Sequence, residues 1–437
     1  MPLTLRQFAQ CLADSGLMSL AELKAYHEGL PSDSRPRSAD DLAQALVRDH
    51  KLTRFQAEQL CQGRHKGLVL GNYALLEKLG QGGMGAVFKA QHRRMERIVA
   101  IKVLPSEATK SSEGLRRFHR EVRAAAKLIH PHIVTAFDAD EADDMHFLVM
   151  EYVEGRDLGS VLKENAPLAV DVVVGYILQA ARGLAFAHSK GIYHRDIKPA
   201  NLLLDHTGTV KILDMGLARF EASEHTMTGT EGLTQAGQVM GTVDYMSPEQ
   251  SADTHSADHR SDIYSLGCTM YRLMINEPVY TGSTTIRKIM AHRQNPVPSL
   301  RKARPEVSPE IDAVFQKMVA KKPADRQQSM TEVINDLEAL LAEDIHAPPR
   351  SPASTEDSAL QGFLSQMSSV GRASRSGTSQ AGRSSIGKVS KPPSSSGPIL
   401  PPMASPEQQT VADAPPAVLT DSWVKKVSRW LSSKRPK

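Results

Sequence analysis

At about 150 residues per domain, the 437 residues allow two or three domains. Hydrophobic residues make up 40% and charged residues 23%, enough for a core over part of the length, which excludes collagen-like and wholly disordered readings. The net charge of +4 comes from the tail: Ser422 to Lys437 holds six basic residues and no acid, leaving 47 basic against 49 acidic residues elsewhere, so nucleic acid is not an expected partner of the folded part.

Three cysteines, Cys11, Cys61 and Cys268, lie too far apart for a disulfide framework and suit a reducing compartment. The N-terminal stretch lacks the apolar run of a signal peptide. The most apolar long stretch, Val170 to His188, is interrupted by Asp171, Gln179 and Arg182, short of the roughly 18 uninterrupted apolar residues of a membrane span. The expectation is a soluble, cytoplasmic protein.

Residues 1–65 read as a small helical module. Ser19-Leu-Ala-Glu22 and Thr53-Arg-Phe-Gln56 fit capping boxes. Phe8 with Leu12, Leu20 with Leu23, Leu42 with Leu46 and Phe55 with Leu60 recur at near-helical spacing, and residues 30–36 read as a loop. Such a module is either a packing appendage or a docking unit for a protein partner. The main body spans residues 73–343. Strands are expected over 73–79, 86–90 and 99–104, a helix over 113–129, and strands near 134–139 and 146–151, with mostly helix beyond. Residues 346–420, dense in Ser, Pro, Gly and Ala, bury too little to offset chain entropy and read as a disordered linker. In residues 421–435, Trp423, Val424, Val427, Trp430 and Leu431 share one helical face while Lys425, Lys426 and Arg429 lie off it. This basic amphipathic pattern suits an anionic membrane surface, giving peripheral association, or a groove on a protein partner.

The chemistry is carried by three signals. Gly80-Gln81-Gly82-Gly83-Met84-Gly85 is followed by a strand, Ala86-Val87-Phe-Lys-Ala, not by the helix a dinucleotide-binding fold requires, so a nicotinamide-dependent oxidoreductase is disfavoured. A glycine-rich turn between antiparallel strands offers backbone N–H groups to phosphates. Val99-Ala100-Ile101-Lys102 then puts a lysine on the next strand, and Glu121 on the following helix is a candidate counter-charge. Last, His194-Arg-Asp-Ile-Lys-Pro-Ala-Asn201 with Asp214-Met-Gly216 gathers oxygen donors of the kind hard cations take. Several histidines, among them His130, His132, His255 and His259, show no zinc spacing.

From about Tyr73 to Leu341 these blocks, in this order, resemble the eukaryotic-like (Hanks-type) serine/threonine protein kinases, most closely the bacterial branch. The resemblance implies an α+β, bilobal fold, with a small β-rich lobe and a large helical lobe, and phosphoryl transfer from ATP with Mg²⁺ or Mn²⁺ to protein hydroxyls. By the resemblance, Gly80, Gln81, Gly82, Gly83, Met84, Gly85 and Ala86 cover the phosphates, and Lys102 contacts them and pairs with Glu121. Leu79, Val87, Ala100 and Leu203 sandwich adenine, with Met150 behind it, Glu151 and Val153 in the hinge and Asp157 at the ribose. Asp196 is implied as the base, Lys198 as the partner of the moving phosphoryl group, and Asn201 and Asp214 as metal ligands. Ser247-Pro-Glu249, Asp262 and Arg326 fit the family's structural blocks. Met215 replaces the usual Phe and Ser247 the usual Ala. Thr226, Thr228, Thr230 and Thr234, in the long segment from Asp214 to Glu249, are candidate autophosphorylation sites; the alternative is a flexible polar loop. The rival reading is a catalytically inactive kinase-like scaffold; the intact set Lys102, Glu121, Asp196, Asn201 and Asp214 weighs against it.

Overall fold

The computed structural model describes residues 3–82, 85–105, 112–215, 243–253 and 257–346; the side chains of Glu113, Arg117, Glu121 and residues 341–346 are not described. The expected linker and tail, 347–437, lie outside the described residues, as does most of the segment carrying Thr226 to Thr234.

Four helices open the fold: α1 (Leu5–Asp14), α2 (Leu20–Gly29), α3 (Ala39–Arg48) and α4 (Arg54–Cys61). Each begins at a capping box, with Thr4, Ser19, Ser38 and Thr53 as caps. Each cap accepts from an otherwise unpaired N–H, and the residue three places on returns a bond to the cap's own N–H. The four pack around Phe8, Leu12, Leu23, Leu42, Leu46 and Leu60. Leu20 does not join them: it is 50% exposed, at the first position of α2.

A six-stranded sheet follows, in the order β1 (Val69–Leu70), β2 (Tyr73–Gly82), β3 (Gly85–His92), β4 (Ile98–Val103), β6 (Met145–Glu151), β5 (Ala136–Ala142), antiparallel throughout. Helix α5 (Ser112–Ala125) lies between β4 and β5 in sequence and buries Phe118 and Val122. The interior of β4, a central strand between β3 and β6, is buried at every position from Val99 to Lys102. Val99 and Ile101 join Leu75, Phe147 and Val149 on one face, where Phe55 of α4 also packs. Ala100 and Lys102 face the other way by the two-residue period of a strand.

The larger lobe is helical. The long helices α7 (Val170–Ser189) and α9 (Arg260–Ile275) bury most of their length in one core, with Leu158 and Leu162 of α6 (Leu158–Asn165), Phe315 and Met318 of α12 (Pro309–Met318) and Val333 and Leu337 of α13 (Met330–His346). The helix α7 is long and apolar enough to cross a membrane, but its apolar residues Val173, Val174, Ile177, Leu178 and Leu184 are core residues here. A three-stranded sheet, β7 (Gly155–Asp157), β8 (Leu202–Asp205) and β9 (Val210–Ile212), is interrupted in sequence by α6 and α7, and the loops on either side of β8 and β9 carry Asp196, Asn201 and Asp214.

Candidate active site

The glycine-rich turn joins β2 to β3, with Gly82 opposite Gly85. Gly85 has φ +108°, and a Cβ there would sit 1.9 Å from the Val103 carbonyl oxygen, so only glycine fits. Gly83 and Met84 lie outside the described residues. From the turn a row of residues runs across the sheet: Gly80 pairs with Val87, Val87 with Lys102, and Lys102 with Leu148. Two residues along, Ala100 pairs with Met150. The implied adenine and phosphate contacts thus sit in adjacent register positions on one face. Leu79 is 44% exposed.

Lys102 is buried, and its Nζ lies 2.8 Å from Asp214 Oδ1. The backbone of Glu121 belongs to α5, but its side chain lies outside the described residues, so its expected pairing with Lys102 is not described. Beside Asp214, a small apolar hollow runs behind Met150, between Leu148, Ile133, Ala125 and Met215. Met215 is buried, filling apolar space as the larger Phe would.

The loop from α7 to β8 carries the remaining groups. Lys198 Nζ is 2.7 Å from Asp196 Oδ2. Asn201 donates through Nδ2 to the Asp196 carbonyl oxygen at 2.7 Å and to Asp196 Oδ2 at 3.1 Å. Among the described residues Asp196 Oδ1 is buried and accepts no hydrogen bond. A buried carboxylate oxygen without a donor is costly, and a site that receives a substrate hydroxyl accounts for it.

Asp262, at the start of α9 and fully buried, holds this loop from beneath. Its carboxylate accepts from the His194 N–H at 2.8 Å and the Arg195 N–H at 2.6 Å, and lies 2.8 Å from His188 Nε2. Burial alone would push this carboxyl up; the hydrogen bond and charge of His188, with His194 and the Arg195 N–H, outweigh burial and hold it below the usual carboxylate range. His194 reaches across to the Leu213 carbonyl oxygen at 2.7 Å, tying the loop to the residue before Asp214. Arg195 and Asp214 both take left-handed φ, +68° and +55°, a strain these surrounding bonds must hold in place.

Glu249 and Arg326 form a second anchor, with Nη1 to Oε1 at 2.7 Å and Nη2 to Oε2 at 2.8 Å. Burial raises the Glu249 carboxyl, but the Arg326 hydrogen bonds and charge bring it below its ordinary range. Ser247 serves as the N-cap of the short helix α8 (Pro248–Ala252), a role Ala could not fill.

Two sequence expectations meet competing partners. Asp157, expected at the ribose, caps α6, accepting from the Ser160 N–H at 2.9 Å and the Ser160 hydroxyl at 2.6 Å. Glu151, expected in the hinge, turns its side chain to Lys211 Nζ at 2.9 Å and the Thr135 N–H at 3.2 Å, fastening the hinge to β9. Val153 follows β6 in the same connection, and Leu203 sits in β8 opposite Asp157. Three participants were missed in the sequence. Lys89 lies 4.6 Å over the Tyr152 ring at the hinge. Gln250 donates to the Arg195 carbonyl oxygen at 2.9 Å. Lys288 holds Asp244 at 2.6 Å. Each contact spans 44 or more residues, or leaves the strand, so no local spacing reveals it.

The family model described as the protein kinase domain matches residues 73–337, more than half of the chain. The chain belongs to the protein kinase family. This kinase is 40% identical over 270 residues to the serine/threonine-protein kinase PknB of Mycolicibacterium smegmatis, covering 61% of this chain and 42% of that one. It is 35% identical over 269 residues to the serine/threonine-protein kinase PrkC of Bacillus subtilis, covering 62% and 40%. Among solved structures, the kinase domain of Mycobacterium tuberculosis PknI aligns with TM-score 0.50 and 29% identity, covering 63% of this chain and 98% of that one. The kinase therefore spans less than half the length of these curated relatives and groups with bacterial serine/threonine kinases of the Hanks type.

The donor set fits the family's metal. Among the described residues no three His, Cys, Asp or Glu side chains gather into a metal cage. Magnesium in phosphoryl-transfer sites takes only one or two protein carboxylates and completes its shell with phosphates and water. Asp214, with the Asn201 side-chain Oδ1 left over once Nδ2 has donated to Asp196, meets that requirement in the kinase.

Proposed function

We propose that this chain is an active serine/threonine protein kinase, transferring the γ-phosphoryl group of ATP to hydroxyls of protein substrates. The observation that carries the reading is Asp196 Oδ1, buried and without a hydrogen bond among the described residues, beside Lys198 and Asn201, whose backbone carbonyl accepts from the Leu213 N–H at 2.9 Å, one residue before the Asp214 that pairs with Lys102. Asp196 accepts the proton of the attacking hydroxyl. The hydroxyl oxygen bonds to the γ-phosphorus as the bond from that phosphorus to the β–γ bridging oxygen breaks, and ADP leaves with the electron pair. Lys102 and Lys198 supply fixed positive charge at the phosphates and at the moving group, in a site whose dipoles are already set. Asn201 and Asp214 would hold magnesium, which neutralises phosphate charge when bound. Asn201 also keeps Asp196 oriented through its two hydrogen bonds.

The test is transfer from radiolabelled ATP, with phosphoamino-acid analysis of the product. Lys102→Ala and Asp196→Asn should each lower the rate by about a hundredfold or more, the scale of losing one preorganised group. Near-normal transfer in either variant rejects the assignment, and absence of transfer by the wild type favours the inactive scaffold. The finer reading includes autophosphorylation within Thr226 to Thr234. Arg195 is the residue before the base; its guanidinium already donates to the Ala257 carbonyl oxygen at 3.1 Å, and a phosphate in that segment would offer it an anionic acceptor. Phosphosite mapping after incubation with ATP and Mg²⁺ should find phosphate there, with Thr234 favoured; a clean segment refutes it.

A further inference from the structure

Helix α4 is built onto the root of the hairpin that carries the glycine-rich turn. Thr53 and Gln56 close the capping box of that helix, and each spends a second hydrogen bond on β2. The Thr53 hydroxyl accepts from the Gln56 N–H at 3.2 Å and donates to the Leu76 carbonyl oxygen at 2.6 Å. The Gln56 side chain accepts from the Thr53 N–H at 2.8 Å and donates through Nε2 to the Leu75 carbonyl oxygen at 2.7 Å. Gln56 is only 4% exposed, so this amide is part of the interior.

The place they grip is special. The β2–β3 ladder shifts register there: Leu75 faces Ala90 and Glu77 faces Lys89, so Leu76 has no counterpart on β3. Such an irregularity bends a strand and increases its twist, and so aims what lies beyond it. Beyond it the ladder shifts once more, with Lys78 facing Phe88 and Gly80 facing Val87, so Leu79 also has no counterpart, and Gly80 follows. The second strand of the hairpin is held by the neighbouring residue: the Phe55 ring lies 5.9 Å from the Phe88 ring, and Phe88 sits between Lys78 and Ile101 in the sheet. One helix end therefore fixes both strands at the base of the turn.

We infer that α4 is a positioning element for the nucleotide, in which Thr53 and Gln56 set the bend of β2 and with it the seat of the Gly80–Gly85 turn on the ATP phosphates. This rests on the reading of that turn as the ATP-phosphate cover. It makes the N-terminal module part of the catalytic unit and not a free docking domain.

The test uses the full chain and compares wild type with Thr53→Val, Gln56→Leu and the control Thr53→Ser. The first two keep side-chain shape and lose the donor; the third keeps the hydroxyl. Affinities are measured for a non-hydrolysable ATP analogue with Mg²⁺ and for adenosine, which has no phosphates. Thr53→Val and Gln56→Leu should each weaken the ATP analogue about five- to tenfold, the ordinary scale of coupling between sites. Adenosine should change less than about twofold and Thr53→Ser should match wild type. A merely structural role would weaken both ligands alike, or only lower the melting temperature, and either result overturns the inference. A second measurement needs no variant: binding of the analogue should slow amide exchange in residues 53–58 of the wild type, and unchanged exchange there overturns it too. A wild type that binds neither ligand would instead sink the kinase reading itself, which keeps the two failures apart.

Discussion

Asp196 owes its position to a few residues that never reach substrate. The peptide joining Arg195 to Asp196 is held on both sides, its preceding N–H by Asp262 and its carbonyl by Gln250, while Arg195 itself is left-handed. Gln250→Leu keeps the bulk and removes the donor, leaving that peptide held only through the Asp196 N–H, which donates to His194 Nδ1 at 3.2 Å. We expect kcat to fall about ten- to a hundredfold with the ATP KM nearly unchanged, since small displacements of a catalytic group are expensive and the nucleotide seat is elsewhere. Steady-state kinetics check this; an unchanged kcat beside a lowered melting temperature would leave Gln250 a packing residue only. Lys102, Asp196, Lys198, Asn201 and Asp214 stand out as candidates in the sequence because each lies in a short local motif. Gln250 does not, since its amide meets Arg195 only after the chain returns across 55 residues. Asp157 was legible in a second way that the family pattern masked: an Asp three residues before Ser160 at a helix start is also a cap.

At the scale of elements, the strands and helices of the smaller lobe were readable from alternation and capping, and the errors lie at their ends. The sequence pattern missed the two-residue strand β1, too short to show a period, and ran α5 to residue 129 where the helix stops at Ala125. Thr4 with Gln7 repeats the capping-box spacing that marks α2 and α4, so the start of α1 was available in the same terms. What no local pattern shows is how α8 is tied to the helices beyond it. Arg326 does that: its side chain is fully buried, it holds Glu249 through two bonds, and it also donates to the Ala320, Lys321 and Arg260 carbonyl oxygens. Arg326→Ala leaves the Glu249 carboxylate, itself 18% exposed, with the Ser261 hydroxyl but without its charged partner. The expected cost is about 3–5 kcal/mol of unfolding free energy, read from urea titration. The exposed pair Lys24–Glu28 is the control, and Lys24→Ala should cost well under 1 kcal/mol. A loss below about 1 kcal/mol for Arg326→Ala would refute the anchoring role.

For the whole molecule, the response to acid follows from which groups fold into the wrong protonation state. His292 is 1% exposed, 2.8 Å from the Tyr264 hydroxyl, and burial, with Lys321 and Lys288 adding to it, lowers its imidazole to about 4. His119 of α5 is likewise lowered to about 4, chiefly by burial and then by His146 and Arg123. In the unfolded chain both titrate near 6.5. As the pH falls past 6.5 the unfolded state therefore takes up protons that the folded state refuses, and stability declines until about pH 4, where the folded histidines also protonate. The depressed carboxylates Asp262 and Glu249 act in a lower window: their stabilisation is intact above the ordinary carboxylate range and is lost as the pH falls through it toward their folded values. Two successive losses are thus expected, histidines first. His292 alone contributes a slope of at most about 1.4 kcal/mol per pH unit. Calorimetric melting from pH 8 to 4 should show the decline beginning near 6.5, and His292→Asn should make it shallower between 6.5 and 4 without moving the acid limb below. A variant whose slope in that upper window equals that of the wild type would show that the protons taken up there belong to other groups.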